Sequence, residues 1–252
     1  EDLREVAPSM FLGVPRIWEK LYSTIAIKMQ ETGVLRRWVY ARALQACRPF
    51  AHKAAAQRSL GERLTFAVFY LLVFRALQNF IGLRRAHIAF TGAAPISPAV
   101  IEYFRTIGVP LIEAYGMTET SGVVLSQRND AVRYGTVGGP VPGVEVRVSE
   151  VGELQVRGPV VFQGYYRNPE ATADTIVDGW LHTGDIGRFN EQGHLMITDR
   201  KKELFKTSGG KYVAPQFIEN KLKESPAIEQ AILIGDGRKF VSALIVPNFH
   251  YL

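Results

Sequence analysis

The sequence predicts an α/β fold that continues into β-rich segments, and three observations predict it. Residues 1–85 are predicted to be mostly helical, with apolar residues spaced by four between Ile17 and Met29. A strand–helix–strand pattern follows over residues 86–114, which is typical of a parallel sheet. From residue 135 onward apolar residues alternate with a period of two, as in antiparallel hairpins.

The composition is that of an ordinary globular protein. The chain has 252 residues, of which 47% are hydrophobic and 21% charged, and its formal net charge is +6. Such a composition excludes intrinsic disorder and collagen-like structure. Cys47 is the single cysteine, so no internal disulfide forms and a reducing compartment is expected. We therefore expect a soluble, cytoplasmic chain in which Cys47 is a small buried residue.

The first 85 residues are expected to be mostly helical. Pro15 can open a helix that carries Ile17, Leu21, Ile25 and Met29 on one face. Further helical stretches are expected over 34–56 and 64–80. The latter is apolar on nearly every face, which predicts deep burial or contact with lipid or an acyl chain. Arginines flank it, so peripheral contact with the inner face of a membrane stays open: Arg63, Arg75, Arg84 and Arg85.

The α/β part begins with a strand over 86–91, which ends in the turn Gly92-Ala93-Ala94-Pro95. Ser97 then caps a helix with Pro98 in its first turn, and Gly108 ends it. The next strand is expected over 109–114, parallel to the first.

The β-rich part is expected to contain two hairpins, one over 144–156 and one over 180–198. Residues 135–198 therefore predict a small β-barrel or a sheet layer. After a charged stretch, Pro215 opens a helix, and strands over 229–235 and 240–246 complete an α+β unit. The expected domains are 1–134, a β-barrel subdomain over 135–200, and a small C-terminal domain from 201 to 252.

Three polar clusters are candidates for chemistry. The segment Tyr115-Gly116-Met117-Thr118-Glu119-Thr120 follows a predicted parallel strand, where open α/β sheets bind ligands. Its hydroxyl and carboxylate oxygens suit Mg²⁺ and phosphate, although a polar turn is an equal alternative. Asp185, after Gly184, can accept hydrogen bonds from a ribose diol, although a capped turn is the simpler interpretation. The third cluster is Asp199-Arg200-Lys201-Lys202 with the Gly209-Gly210 loop, which alone is typical of a solvated surface.

Taken in order, these segments resemble the acyl-adenylate-forming superfamily, which includes acyl-CoA synthetases, luciferases and peptide-synthetase adenylation domains. The resemblance covers nearly the whole chain. Within the superfamily, the segment 14–20 and the helical insertion over 20–82 are similar to long-chain fatty acyl-CoA synthetases. The matching motifs are GAAP at 92–95, YGMTE at 115–119, GELQVRG at 152–158, HTGD at 182–185 and DRKKEL at 199–204.

The resemblance implies the acyl-adenylate-forming fold, with part of a large domain and part of a small one. It also implies a two-step reaction. A fatty carboxylate attacks the α-phosphate of ATP to give acyl-AMP and pyrophosphate, and CoA thiolate then displaces AMP. ATP, AMP, Mg²⁺ and CoA are thus the implied ligands, beside a fatty acid. Aromatic residues do not interleave with basic ones, so no nucleic-acid partner is expected. Chain length of the acid and oligomeric state stay open.

The resemblance also implies roles for individual residues. Thr118 would bind the α-phosphate, and Glu119 would hold Mg²⁺. Lys202 would be the hinge about which the small domain turns. Asp185 and Arg200 would bind the ribose, and Gly209 and Gly210 would form the loop that contacts pantetheine. The residues implied for the adenine site are Gly92, Ala93, Ala94, Pro95, Tyr115 and Gly116.

The superfamily's phosphate-binding loop and C-terminal catalytic lysine have no counterpart in the chain, which also begins without Met. We therefore expect a fragment that does not catalyse adenylation alone. Two alternatives remain open. One is a fatty acyl-AMP ligase or another acid–CoA ligase, and the other is a basic binding module without catalytic activity.

Overall fold

The computed structural model describes residues 2–225 and 227–249, and these residues form two units. The first unit contains the residues up to 113 together with 127–134. The second contains 114–126 and the residues from 135 onward. The domain boundaries expected after residues 134 and 200 stay a prediction.

The first unit combines a helical region with a parallel sheet. Its helices are α1 (Asp2–Val6), α2 (Pro15–Gln30), α3 (Val34–Cys47), α4 (Leu60–Phe69), α5 (Arg75–Phe80) and α6 (Pro98–Thr106). Its strands are β1 (Met10–Gly13), β2 (Ile88–Thr91) and the first residues of β3 (Leu111–Met117). β1 pairs parallel with β2, and β2 pairs parallel with β3. The parallel pairing predicted from the sequence is therefore confirmed.

The core of the first unit is rich in aromatic side chains. Trp18 is fully buried, and its indole N–H donates to the backbone oxygens of Gly13 at 3.0 Å and Phe90 at 3.3 Å. Phe104 packs edge-to-face on Trp18, with ring centroids 4.9 Å apart. Cys47 is buried, as expected, and burial raises the pKa of its thiol to about 11. These contacts fix α2 and α6 against the parallel sheet.

The helices differ from the prediction in two places. The helix expected over 34–56 ends at Cys47, and a 3₁₀ turn over Arg48–Phe50 follows it. Pro49 explains this end, because proline lacks the N–H that an α-helix needs. The helix expected from residue 64 begins at Leu60, where Ser59 and Glu62 form a reciprocal capping box.

The segment expected to be a uniformly apolar helix contains a π-helical turn over Tyr70–Phe74, between α4 and α5. Phe74 and Leu77 are buried in the core of the first unit. Leu64 and Leu71, by contrast, are each 68% exposed. The prediction of deep burial therefore holds for one side of this segment only.

The first residues of β3 lie in the first unit, and from Ala114 the strand lies in the second, where it pairs antiparallel with β4 (Gly122–Ser126). The sequence predicts that this strand ends at Ala114, whereas β3 continues to Met117. Residues 115–117 pair with β4, a strand that the apolar pattern does not indicate.

The second unit also contains an antiparallel sheet in the order β10-β9-β7-β6. Residues 135–200, expected as a β-barrel subdomain, supply its strands, and its edge strands are β6 and β10. Both predicted hairpins are confirmed. The elements are β5 (Gly139–Pro140), β6 (Glu145–Val148), β7 (Glu153–Arg157), α7 (Pro169–Thr175), β8 (Ile176–Val177), β9 (Trp180–Phe189) and β10 (Leu195–Arg200).

The remaining elements follow the charged stretch at the end of β10. They are β11 (Phe205–Lys206), β12 (Tyr212–Val213), α8 (Pro215–Leu222), β13 (Ile228–Ile234) and β14 (Ser242–Pro247). β13 and β14 pair antiparallel, and α8 packs against β13 and β10. The helix and the two strands predicted here are confirmed. Among the described residues, no helix is long and apolar enough to cross a membrane.

Candidate functional site

Three of the predicted site residues meet in the second unit. Asp185, in the middle of β9, is buried. The hydroxyl of Tyr115, on β3, donates to Oδ2 of Asp185 at 2.5 Å. Arg200, the cross-strand neighbour of Asp185 on β10, donates from Nε to Oδ1 at 3.2 Å. Tyr115 and Arg200, which lie 70 and 15 positions from Asp185 in the sequence, therefore hold one carboxylate from both sides.

The two donors around Asp185 leave its carboxylate able to accept further hydrogen bonds. Burial, followed by the charge of Asp185, raises the pKa of the Tyr115 hydroxyl, so tyrosine acts as a neutral donor. The side chain of Arg200 is 59% exposed, so guanidinium N–H groups face solvent. A carboxylate has about four lone-pair positions, and Tyr115 and Arg200 use two of them. Asp185 can therefore accept further hydrogen bonds from a diol.

The segment of β9 before Asp185 is held by Glu153, a buried residue on β7. Its Oε1 accepts from the backbone N–H of Gly184 at 3.1 Å. Its Oε2 lies 3.3 Å from Nζ of Lys201 and 3.4 Å from Nδ1 of His182. One carboxylate thus links the middle of β9 to Lys201, the residue that follows β10.

Sequence reasoning missed Glu153 as a site residue. The alternation of Leu154 and Val156 as inward positions places Glu153 on the solvent face of β7. The structure buries all four residues from Glu153 to Val156 instead. The available signal was the acidic residue directly after Gly152, at the start of the strand that carries Leu154 and Val156.

Thr118 and Glu119 lie in a 3₁₀ turn directly after β3. The hydroxyl of Tyr165 donates to Oε1 of Glu119 at 2.8 Å, and this bond raises the pKa of Tyr165. The backbone N–H of Phe162 donates to the backbone oxygen of Glu119, also at 2.8 Å. Thr118 is exposed, and Ser121, which ends the turn, has a left-handed φ of +54°. The Glu119 carboxylate is therefore fixed in place with its other oxygen available.

This arrangement fits a magnesium ion only together with a ligand. Within residues 2–225 and 227–249, no group of three or more His, Cys, Asp or Glu side chains could hold a metal ion. Mg²⁺ usually takes one or two carboxylates and completes its shell with water and phosphate oxygens. One oriented carboxylate at Glu119 matches that pattern.

Gly116 has a structural reason to be glycine. A Cβ at this position would lie 1.8 Å from the backbone oxygen of Gly122 on β4. The close approach of β3 and β4 at a register shift therefore excludes any side chain.

The predicted adenine turn, from Gly92 to Pro95, lies in the first unit, directly after β2. Ala93 has a φ of +69°, a left-handed conformation that costs a residue with a side chain about 1–2 kcal/mol. The hydroxyl of Thr91 is buried and has no partner among the described residues. Backbone strain and an unpaired buried hydroxyl are features that cluster at binding sites.

The predicted hinge and loop residues lie in exposed turns of the second unit. Lys202 follows β10, one residue after Lys201, whose backbone N–H donates to the oxygen of Gly184 at 2.8 Å. Gly209 and Gly210 lie between β11 and β12, and Gly210 has a φ of +83°. A Cβ on Gly209 would meet nothing nearer than 3.9 Å, so packing here does not require glycine at that position.

Comparison with known proteins assigns the chain to a family. Residues 1–166 match the family model of the AMP-binding enzymes, and residues 203–251 match that of the AMP-binding enzyme C-terminal domain. The chain is similar to the long-chain-fatty-acid–CoA ligase FadD15 of Mycobacterium tuberculosis, with 42% identity over 242 residues. That alignment covers 94% of this chain and 39% of the relative.

Other relatives carry similar names. Long chain acyl-CoA synthetase 4 of Arabidopsis thaliana is 33% identical, and the alignment covers 100% of this chain and 39% of that protein. Long-chain-fatty-acid–CoA ligase ACSBG2 of Rattus norvegicus is 37% identical, and the alignment covers 96% of this chain and 37% of that protein. The chain thus spans about two fifths of the length of these relatives.

Solved structures show the same fold. The adenylation domain of a carboxylate reductase from Mycobacterium chelonae aligns with a TM-score of 0.69 at 23% identity, over 98% of this chain and 36% of that one. The O-succinylbenzoate CoA synthetase of Bacillus subtilis, solved with ATP and a magnesium ion, aligns with a TM-score of 0.59 at 25% identity. That alignment covers 74% of this chain and 40% of the synthetase. The predicted adenylate-forming fold is confirmed, and the chain belongs to the AMP-binding enzyme family.

Proposed function

We propose that the chain is part of a long-chain fatty acid–CoA ligase. A carboxylate oxygen of the fatty acid attacks the α-phosphorus of ATP, and the bond to the β-phosphate breaks with loss of pyrophosphate. CoA thiolate then attacks the acyl carbon, and the acyl–phosphate bond breaks with loss of AMP. The names of the relatives, at 33–42% identity, support this substrate class.

The observation that carries the proposal is the buried carboxylate of Asp185 between Tyr115 and Arg200. A vicinal diol presents two hydroxyl donors to the carboxylate, whose free lone pairs can accept both. Arg200 adds exposed donors for the ribose or the phosphate beside it. This geometry fits the ribose of ATP, AMP or an acyl-adenylate.

The turn after β3 is the proposed phosphate and metal site. The Thr118 hydroxyl, which is exposed, is suited to donate to a phosphate oxygen. Glu119, oriented by Tyr165, would hold Mg²⁺. When bound, the ion supplies positive charge that offsets the negative charge on the phosphates. The chain's own contribution is to hold the carboxylate at a fixed position and to keep the turn rigid through Phe162.

Other contacts in the proposal follow the family resemblance. The turn from Gly92 to Pro95 would contact adenine, and Lys202 would serve as the hinge between the two steps. Gly209 and Gly210 would approach the pantetheine of CoA in the second step. The absence of any packing requirement for Gly209 in this conformation agrees with a role in another one. Because ATP and CoA are the proposed substrates, we propose a cytoplasmic location.

Calorimetry with a non-hydrolysable palmitoyl-AMP analogue tests the proposal. We expect saturable binding by the chain and at least tenfold weaker binding by Asp185→Asn, which keeps the shape of the side chain and removes its charge. Asp174→Asn makes the same substitution at an exposed residue of α7, away from the site, and serves as the control. Equal affinities for all three proteins, or no binding by the chain, would contradict a ribose site at Asp185.

A second arm of this experiment addresses the acid. Analogues that carry a short acyl or an aryl group in place of palmitate compete for the same site. A chain that prefers the aryl analogue would support the alternative of another acid–CoA ligase.

A further inference from the structure

Arg58, in the first unit, is a partly buried arginine whose side chain makes no hydrogen bond or ion pair within the described residues. It lies two residues before α4, and its Nε is buried. Its guanidinium lies over two aromatic rings, 4.5 Å from the ring centre of Phe66 and 5.3 Å from that of Phe50. Aromatic rings orient a guanidinium without using its N–H groups. Arg58 is therefore held in place with its donors left for another group.

The acid whose charge acts on Arg58 is already in use. This acid is Glu62. Its Oε1 lies 2.6 Å from Nζ of Lys53, and its Oε2 accepts from the backbone N–H of Ser59 at 2.8 Å. Burial lowers the pKa of the Arg58 guanidinium, because a cation taken out of water without an anion is unfavourable. Arg58 thus contributes positive charge that no carboxylate in the described part of the chain pairs with.

A second arginine supplies fixed charge nearby. Arg105, in the last turn of α6, is only 4% exposed. It donates to the backbone oxygens of Ala51 and Leu111 at 3.0 and 3.3 Å, and to the side-chain and backbone oxygens of Asn129 at 2.8 and 3.2 Å. All of these acceptors are neutral. Because β3 begins at Leu111, this charge lies at the amino-terminal edge of the parallel sheet, whereas the turn from Gly92 to Pro95 follows the carboxyl end of β2.

Tyr134 adds an unused donor beside the two arginines. Its hydroxyl is buried and has no hydrogen-bond partner among the residues that the structure describes. Burial raises its pKa to about 12, so the hydroxyl keeps its proton at neutral pH. The charges of Arg58 and Arg105 both act on it. Buried polar groups of this kind without a protein partner often mark the place of a ligand.

The charge around these three residues is unbalanced. Among the described groups whose charges act on them or on the adjacent His52, five are cations and two are acids, a net charge of +3. Burial, followed by the charge of Lys53, lowers the pKa of His52, as expected in a positive environment. The cations are Arg48, Lys53, Arg58, Arg105 and Arg133, and the acids are Glu62 and Glu102.

We propose that Arg58 and Tyr134 bind the phosphate group of a small phosphorylated ligand, with the charge of Arg105 behind them. A guanidinium forms paired hydrogen bonds with phosphate oxygens, and a neutral tyrosine adds another donor. Phosphate fits the excess charge better than a carboxylate, because a phosphate monoester carries about −1.5 to −2 at neutral pH. The site is separate from the proposed ribose site and does not depend on the proposed function.

Titration of inorganic phosphate into the chain, followed by phosphorus NMR, tests the proposal. We expect saturable binding and a rise in the thermal unfolding midpoint that grows with phosphate concentration. Sodium chloride and sodium acetate at the same ionic strength should raise the midpoint much less. Asp185→Asn, which disables the proposed ribose site, should bind phosphate as tightly as wild type.

Variants at the site separate ligand binding from structural support. Arg58→Met keeps an apolar stem that packs on Phe50 and Phe66 and removes the charge. It should bind phosphate at least tenfold more weakly, yet unfold at the same or a higher temperature when phosphate is absent. Tyr134→Phe should weaken binding roughly fivefold. Arg37→Met makes the matched substitution at an exposed arginine of α3 and should leave phosphate binding unchanged.

Three outcomes would overturn the proposal. One is an unchanged phosphate affinity of Arg58→Met, which would place any bound phosphate elsewhere. Another is an equal effect of chloride, acetate and phosphate, which would reduce the effect to screening of charge. The third is a large loss of stability of Arg58→Met in the absence of phosphate, which would identify the guanidinium as a structural group.

Discussion

At the scale of single residues, Glu113 is a buried acid whose protonation affects stability. It lies in the apolar first half of β3, and burial raises its pKa from 4.5 to about 8. The folded protein therefore keeps this proton at pH values where the unfolded chain has lost it. Between about pH 5 and pH 8, each pH unit lowers the stability by at most about 1.4 kcal/mol through this group.

Glu113→Gln should remove that pH dependence, because glutamine resembles the protonated acid and does not ionise. Urea unfolding at several pH values measures the difference between the two proteins. We expect the variant to gain stability relative to wild type as the pH rises through this range and to level off above about 8. Glu191→Gln, at an exposed acid, is the control. A constant difference between Glu113→Gln and wild type at all pH values would contradict the buried acid.

The site residues named from the sequence stay predictions, and their arrangement could not be predicted from it. The family resemblance indicated Tyr115, Asp185 and Arg200 as nucleotide-binding residues. Their direct contact depends on the pairing of β9 with β10 and on the position of β3, which no local pattern contains. The hydrogen bonds of Glu153 also depend on strand pairing, since their partners lie on β9 and directly after β10.

At the scale of elements, Gly116 sets the distance between β3 and β4. Gly116→Ala places a methyl group 1.8 Å from a backbone oxygen, so the strands must separate. We expect a loss of roughly 3 kcal/mol or more in the free energy of unfolding, which is typical of overpacking against backbone. Gly139→Ala in β5 is a matched control, since a Cβ there meets nothing within 4 Å. Similar losses in both variants, measured by urea unfolding, would contradict this steric role.

Elements with local signals were predicted well. Pro15 and Pro98 mark the first turns of α2 and α6, and the hairpins follow from alternation. The strands β1 and β4 were missed, because four or five residues carry little periodicity and their pairing is tertiary. The strand β3 continued past its predicted end for the same reason, since its polar residues are held by β4.

At the scale of the whole molecule, the chain matches about two fifths of the length of its relatives. We expect that the purified chain alone does not form palmitoyl-CoA from ATP, palmitate and CoA, because the phosphate-binding loop and catalytic lysine implied by the resemblance have no counterpart in its sequence. Exchange of labelled pyrophosphate into ATP measures the first step directly. FadD15, prepared in parallel, is the positive control. A rate for the chain close to that of FadD15 would refute this expectation.

The π-helical turn between α4 and α5 has a consequence for changes in chain length. A π-turn holds one more residue than an α-helical turn in the same space. Deleting one residue from Tyr70–Phe74 would restore an ordinary α-helical turn in about the same space, so the residues after it would keep their orientation. Leu77 and Gln78, now buried, would then stay in the core. A one-residue deletion at this turn should therefore be tolerated better than one within α2, where the residues after the deletion would rotate by about 100° about the helix axis.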